Sequence, residues 1–571
     1  MKYDGTMTRR RFLLIALLVA AVVPYFLHLG ATSIIDANEA FYSETPREMI
    51  ESGDYINPTF NYEPRLNKPP LSYWIVAASY RLSGVSLRAA RLPIALGATL
   101  ILVSAFLLGR KAFSTDAGLL AAITLAATPR MLLFSRRIII DVYTAMFVGL
   151  TLVCFVLAET EPERRRRWLI AMYVATGLGV LTKGPVAVAI PALVFGVYLV
   201  LAGRLRTITR LMLPAGALIV AAIVLPYYAA LYAQHGWEAI TTFLVTENLA
   251  RYAEGVGAPN RGPLFYLPVV FADLYFPWSL LLPAAFAVVP WRHVLAGRGW
   301  ARVWGTPDVA TAVSADRVRL LLGLWVVVIV AFFSLSKGQQ DLYVLPFVVA
   351  GAALVGGVTD GWMRRSSSTR LDRVVSWSVA LTGGVLVVLG VAAAWLVGGT
   401  AGRIHLAGAA AAGILVAAGG VAALAWLVRR APFAAVASLA ATLIVAQWVI
   451  VLWTLPDFER YKPVPQLARA IQQTAGPRPI VGTYKVAAPS LVFYLRQHVT
   501  EMFDESQLSV FLASHPDALC VMTDEDYDAV RAQLDVPTRI VARAPRFDAR
   551  LGDFLGRAPL PTLVLVTPAT R

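Results

Sequence analysis

The chain has 571 residues, 58% of them hydrophobic and only 15% charged, with a mean hydropathy of +0.64 and a formal net charge of +16. Soluble domains carry roughly 25% charged residues, so composition excludes an ordinary soluble protein, and apolar runs of bilayer-crossing length recur from Phe12 to Trp453. The positive charge is arginine in short loops between these runs, which is the positive-inside bias rather than a nucleic-acid-binding face; two distant cysteines, Cys154 and Cys520, and scattered histidines supply neither a disulfide framework nor a metal-ligand spacing.

In chain order, MTRRRFLLIALLVAAVVPYFLHLGATS has a basic start and a long apolar core with no small-x-small cleavage site. It predicts an uncleaved first span with a cytoplasmic N-terminus. Candidate spans fall at 12–30, 91–109, 116–136, 142–158, 168–182, 185–202, 211–231, 264–289, 318–334, 341–358, 374–397, 404–427 and 433–454, thirteen in all. The segment LSYWIVAASYRLSG at 71–84 has an apolar run of only about 10 residues, a length that suggests an interfacial or re-entrant segment. If it does not cross, the basic loops at 110–111, 164–167, 204–210, 292–302, 364–373 and 429–430 all share the cytoplasmic side with arginines 9–11. If it crosses, every one of them flips outward. The first arrangement leaves 31–90, the turn around Asp141, 232–263, 335–340 and the tail outside. The tail alternates strand-like runs (RPIVGTY, HVTEMF, DALCVMT) with helix-like ones (PSLVFYLRQ, DEDYDAVRAQL), so it predicts a small α/β domain over 456–571 behind a membrane domain over 1–455. That domain shows no phosphate loop or nucleophile motif and reads as an accessory or acceptor-recognition module.

The ionisable residues of note cluster near outer ends of spans: Asp36, Glu39, Glu44, Arg47, Lys68, Asp141, Lys183, Glu247, Arg251, Lys337, Asp341 and Tyr343. A transporter would hold such groups at mid-membrane; here they predict one outer cavity open to a lipid-borne substrate. Within DANEAFYSETPREMIES, the spacing of Glu44 and Glu48, and of Tyr42 and Met49, puts each pair on a shared helical face. By spacing alone this is equally an amphipathic helix lying on the membrane surface.

NEAFYSETPREMIESGDYINPTFNYEPRLNKPPLSYW resembles the first outer loop of the aminoarabinose transferases and protein O-mannosyltransferases, PMT-like glycosyltransferases of the GT-C group. RRIIIDVYTAMF, GLGVLTKGPVAVAIPAL, ENLARY, GPLFYLPVVFADLYFPWSLLLP and FFSLSKGQQDLYVLP follow in the family's order, so the likeness runs over about residues 10–350. It implies a membrane all-α GT-C bundle of about thirteen transmembrane helices with outer interfacial helices and a small C-terminal α/β domain. It also implies an inverting transfer of a monosaccharide from a polyprenyl phosphate, such as undecaprenyl phosphate, to an acceptor outside the bacterial inner membrane: a lipid A-like glycolipid, an envelope glycan or a protein.

The likeness further assigns roles. Lys68, Arg251 and Tyr343 match the donor-phosphate positions, with Lys337 beside them, and Asp141 matches the second acidic position. The family's Asp-Glu pair reads Asn38-Glu39 here. An amide takes no proton at neutral pH, so the base falls to Glu39, with Asp141 and Asp36 as the other carboxylates. Asn38, Tyr42, Glu44 and Arg47 become acceptor-side loop residues. Where some relatives hold a divalent metal with glutamate and histidine, this chain has Asn67 and Asn248, so no metal or other cofactor is expected. Two alternatives stay open: a catalytically inactive relative with a binding or assembly role, for which Asn38 speaks, and a lipid-linked sugar transporter, which would need buried mid-span charges and repeat symmetry.

Overall fold

The computed structural model describes residues 5–34, 37–291, 313–364, 369–398, 404–475, 479–547 and 560–569; Asp36 and the basic run 292–302 lie outside them. Eight of its helices are long and apolar enough to cross a membrane, and up to ten spans result if each of two bent helix pairs counts as one. The chain is therefore a multi-pass membrane protein, although the count on this measure is below the expected thirteen. Three expected spans fall short for visible reasons. Helix α1 (Gly5–Phe26) includes arginines 9–11, α8 (Arg165–Lys183) carries charge at both ends, and α9 (Val186–Leu201) has only 16 residues.

Between α1 and α4 (Leu87–Ala112) the chain builds the outer layer that carries most candidate site residues. It contains α2 (Ala37–Ser52), a two-stranded hairpin of β1 (Thr59–Phe60) and β2 (Glu63–Pro64), and α3 (Leu71–Ser83). Helix α3 has 13 residues, about 20 Å at 1.5 Å per residue, too short for a hydrocarbon core of about 30 Å. It buries Tyr73, Val76 and Tyr80 against its neighbours, in the same apolar cluster as Tyr42 and Met49 of α2. Helix α2 is correspondingly no solvated surface helix: its residues from Glu39 to Met49 are buried except Phe41.

One break inside the bundle has a clear cause. Thr128-Pro129 separates α5 (Thr115–Ala126) from α6 (Pro129–Ser135), and the two meet at 74° because proline cannot continue the hydrogen-bond ladder. The carbonyl freed at Ala126 accepts from Tyr25 Oη and from Gln447 Nε2, both at 3.0 Å. Backbone released at membrane depth must find such partners.

At the opposite end of the bundle from the hairpin, Asp116 at the start of α5 accepts from Arg11 at 2.8 Å and Arg364 at 2.7 Å, and Asp360 from Arg10 at 2.7 Å. Glu159, near the end of α7 (Ile140–Thr160), binds Arg165 at 2.7 Å and Arg204 at 2.6 Å. The basic loops are tied to helix ends through buried acids.

Residues 481–568 hold a five-stranded sheet of order β4-β3-β5-β7-β6, with β3 (Val481–Tyr484) parallel to β4 (Thr500–Met502) and β5 (Leu519–Thr523). Strands β6 (Thr538–Pro545) and β7 (Thr562–Pro568) are antiparallel additions that the sequence reading did not contain, with β7 central and buried. This unit docks on the outer layer. Asn61, at the hairpin turn with φ 58°, donates to the Val499 carbonyl and accepts from the Val499 amide, both at 2.8 Å. Tyr494 Oη accepts from the Ile34 amide at 2.8 Å, and Lys462 donates to the Ser33 carbonyl at 3.2 Å.

Candidate active site

Four separate segments bring cations and acids together beneath the hairpin. Asp141 sits in the first turn of α7 and Lys183 in the last turn of α8, each at the helix end where the dipole favours its charge. The two form an ion pair. Lys183 also lies over the Tyr343 ring, 4.7 Å from its centroid. Lys68, just before the two prolines that end the hairpin segment, donates to Glu247 Oε2 at 2.7 Å, and Arg251 approaches the same oxygen at 3.2 Å. Burial pushes the Lys68 amine below its ordinary range; Glu247 opposes this, while Arg251 and Lys183 add to it.

Residues 337–339 pin this arrangement. The Lys337 amide donates to the Tyr252 carbonyl at 2.9 Å and the Gly338 amide to the Arg251 carbonyl at 3.1 Å. A side chain at 338 is excluded, because its Cβ would lie 2.4 Å from the Arg251 carbonyl oxygen. Lys337 thus contributes backbone here, and its own side chain is exposed. Beside Tyr343, Arg130 holds Asp341 at 2.9 Å and Asp273 at 3.2 Å.

Tyr42 stacks on Tyr73 with centroids 5.2 Å apart. Burial holds its phenol well above the ordinary value; Tyr73, Asp141 and Glu247 push the same way and Arg65 opposes them.

The structure thus brings Asp141, Lys68, Arg251, Tyr343 and Tyr42 to one region. Other expected site residues are engaged elsewhere. Glu39 has no exposure and pairs with the equally enclosed Arg91, at 2.7 and 3.1 Å; Arg91 spends its remaining donors on the carbonyls of Leu29, Thr32 and Ser33 and the Thr32 hydroxyl, at 2.7–2.9 Å. That is the geometry of an anchor tying α2 to α4 and the end of the α1 segment. Glu44 is likewise closed on Arg47 at 2.6 Å, and Arg47 reaches Glu51 at 2.7 Å and Tyr62 at 3.0 Å. Asn38 is exposed at the start of α2.

Of the asparagines at the metal-ligand positions, Asn248 donates through Nδ2 to the Phe243 carbonyl at 2.7 Å, and the Asn67 amide oxygen is buried. Among the described residues no group of three His, Cys, Asp or Glu side chains could hold a metal.

Lys183 and Glu247 were expected only as members of the outer cavity, with no individual role, and Arg91 was not singled out. Lys183-Gly184-Pro185 repeats the cation-before-proline pattern of Asn67-Lys68-Pro69-Pro70, which was the available signal. Arg91 looked like the polar edge of a span.

Residues 67–229 match the family model of dolichyl-phosphate-mannose-protein mannosyltransferases. An undecaprenyl phosphate-alpha-4-amino-4-deoxy-L-arabinose arabinosyl transferase of Pseudomonas savastanoi pv. phaseolicola is 30% identical over 381 residues, 64% of this chain and 65% of that protein. One of Pseudomonas aeruginosa is 26% identical over 519 residues, 88% of this chain and 87% of its own length. The chain spans 62–69% of the length of the first four curated relatives it matches, three of them arabinosyl transferases. The crystal structure of ArnT from Cupriavidus metallidurans bound to undecaprenyl phosphate shares the fold, with a TM-score of 0.74 and 22% identity over 97% of this chain and 98% of that one. By these likenesses the chain is similar to PMT-like glycosyltransferases and shares the fold of ArnT.

Proposed function

We propose that the protein transfers a monosaccharide, with inversion, from a polyprenyl-phosphate donor to an acceptor on the outer face of the bacterial inner membrane. The observation that carries this reading is the convergence of Lys68 and Arg251, from segments far apart in sequence, on a single anionic oxygen beside Lys183 and Tyr343. Two cations aimed at one oxygen form a ready seat for a phosphate. The relatives act on undecaprenyl phosphate sugars, which supports undecaprenyl phosphate as the carrier here.

In the step we propose, an acceptor hydroxyl attacks the anomeric carbon. Its proton passes to a carboxylate as the glycosidic C–O bond breaks, and the bonding electrons remain on the departing phosphate. Lys68, Arg251 and the Tyr343 hydroxyl take up the charge that grows there. With Glu39 bound to Arg91, the base is Asp141 or Asp36, and Glu39 acts as a structural anchor. Lys183 pairs with Asp141 and holds that carboxylate at the head of α7.

The outer layer and the sheet unit, 456–571, face outward in this reading, and the N-terminus and arginine loops face the cytoplasm. The junction of those loops at one end of the bundle supports it. An inactive relative that only binds lipid-linked sugar is favoured by one observation, the exposed amide of Asn38 where the family carries an acid.

Mass spectrometry of envelope lipids and glycoproteins from cells with and without the gene tests the reading. A glycolipid, glycan or protein heavier by one monosaccharide only when the gene is present supports it; identical profiles contradict it. Sugar transfer by Asn38→Asp with none by the wild type favours the inactive relative.

A further inference from the structure

Glu247 places a carboxylate oxygen between Lys68 and Arg251. Its Oε2 is 2.7 Å from Lys68 Nζ and 3.2 Å from an Arg251 terminal nitrogen. One oxygen shared by two cations from different segments reproduces what a phosphate oxygen would do there. The same carboxylate shields Lys68, whose burial otherwise disfavours its charge.

The segment bearing Glu247 departs from regular α-helix. Residues Thr242–Ala250 form a π-helical run, a geometry found mostly as short interruptions at functional sites. It is bounded by Gly236 at φ 66° on one side and by Gly255 at 82° and Gly257 at 67° on the other, left-handed positions that glycine adopts at little cost. Arg251 is held from outside this run: its carbonyl by Gly338, and its guanidinium against Gly257, where a Cβ would lie 3.1 Å from a terminal nitrogen. Lys68 is fixed by the prolines after it. With the Arg251 carbonyl held by Gly338 and Lys68 fixed by its prolines, the Glu247 side chain can swing out from between the two cations by rotation about its own bonds.

We propose that Glu247 is a displaceable stand-in for the donor phosphate: it holds Lys68 and Arg251 in place when the site is empty, gives way to the lipid phosphate, and returns to help expel the product. This rests on the reading of Lys68 and Arg251 as phosphate anchors. A carboxylate cannot stay between the cations once a phosphate arrives, because the two anions would share one site. After transfer the product is a phosphomonoester with up to two negative charges, bound more tightly by the cations than the phosphodiester donor. Recovery of the cations by Glu247 offsets that tighter hold and sets how fast the site clears.

The test uses the full-length protein in nanodiscs and undecaprenyl phosphate as the probe. Glu247→Gln, which keeps the shape and removes the charge, lowers the Kd for undecaprenyl phosphate by about tenfold or more, the range of one charge-assisted contact. Glu247→Ala shifts it the same way. In turnover assays both variants lower KM and kcat together, the signature of tighter product binding. A residue that only supported the fold would raise KM or leave it unchanged. Wild-type binding that depends on Lys68, with Glu247→Gln and Glu247→Ala binding no more tightly than wild type, overturns the stand-in and leaves the phosphate seat intact. Absence of binding by the wild type overturns the seat itself, and this proposal with it.

Discussion

Lys68 and Arg251 lie close enough to a common oxygen that their individual worth is measurable. A hydrogen bond to a charged group contributes about 1.5–3 kcal/mol, so Lys68→Ala and Arg251→Ala each weaken undecaprenyl phosphate binding about tenfold or more; titration against the purified protein reads this directly, and unchanged affinity assigns Lys68 to the membrane interface. Glu39 in the outer layer and Asp141 at the head of α7 have opposite expected phenotypes. Removing one partner of a buried ion pair costs about 3–5 kcal/mol, so Glu39→Gln lowers the Tm sharply, because Arg91 is left enclosed without its counter-charge. Asp141→Asn, nearer solvent and with Lys183 able to reach water, lowers turnover far more than Tm. Equal Tm losses for the two variants would remove the distinction drawn between anchor and base. Glu48 gives a pH signature. Its carboxyl is pushed up to about 7, first by burial and further by Glu44, against the hydrogen bonds from Thr59 and the Tyr62 amide. A carboxyl with a raised folded value favours the folded state most when protonated, so its contribution is full below about 4.5 and is lost as pH rises through about 7. Glu48→Gln therefore raises Tm at pH 8 relative to wild type and leaves it near wild type at pH 4, as read by thermal unfolding at both pH values.

The hairpin of β1 and β2 is the element through which the C-terminal sheet reaches the site. Two residues at its turn, Asn61 and Tyr62, have positive φ, and the Asn61 side chain completes the backbone pairing of Val499 as a neighbouring strand would. Asn61→Ala leaves the Val499 amide and carbonyl buried without partners. The variant therefore shows faster hydrogen exchange at 499–502 and at 59–64, while the bundle helices keep wild-type protection; unchanged exchange at the hairpin would mean the docking rests on apolar contacts alone. Long apolar runs made the spans legible in the sequence, and the likeness of the first outer loop to the family's made Lys68 legible. The short α3 was legible because ten apolar residues cannot reach across a bilayer. What escaped was everything set by distant partners. Glu39 read as a base because nothing local shows that Arg91, more than fifty residues away, encloses it. Glu44 read as open because its closure on Arg47 looks like any i,i+3 pair on a wet surface. Strand β7 escaped because its apolar run stands alone at the chain's end, and only its pairing with β5 and β6 makes it a central strand.

At the scale of the whole molecule, the account requires two ends with different work. One end gathers arginines onto Asp116, Asp360 and Glu159 and holds helix termini together. The other gathers Lys68, Lys183, Arg251, Asp141, Glu247 and Tyr343 from five segments. Because the sheet unit is bonded to the hairpin and to the end of the α1 segment, its loss disturbs the phosphate seat as well as any acceptor contacts it makes. The most direct measurement of the central claim is release of undecaprenyl phosphate from undecaprenyl phosphate-linked monosaccharides by the purified protein in nanodiscs, supplied with envelope glycolipid and protein extract as acceptors. The account predicts release with matching gain of sugar mass on an acceptor, abolished in the Lys68→Ala, Arg251→Ala double variant. No release from any donor, or release undiminished in the double variant, would contradict it.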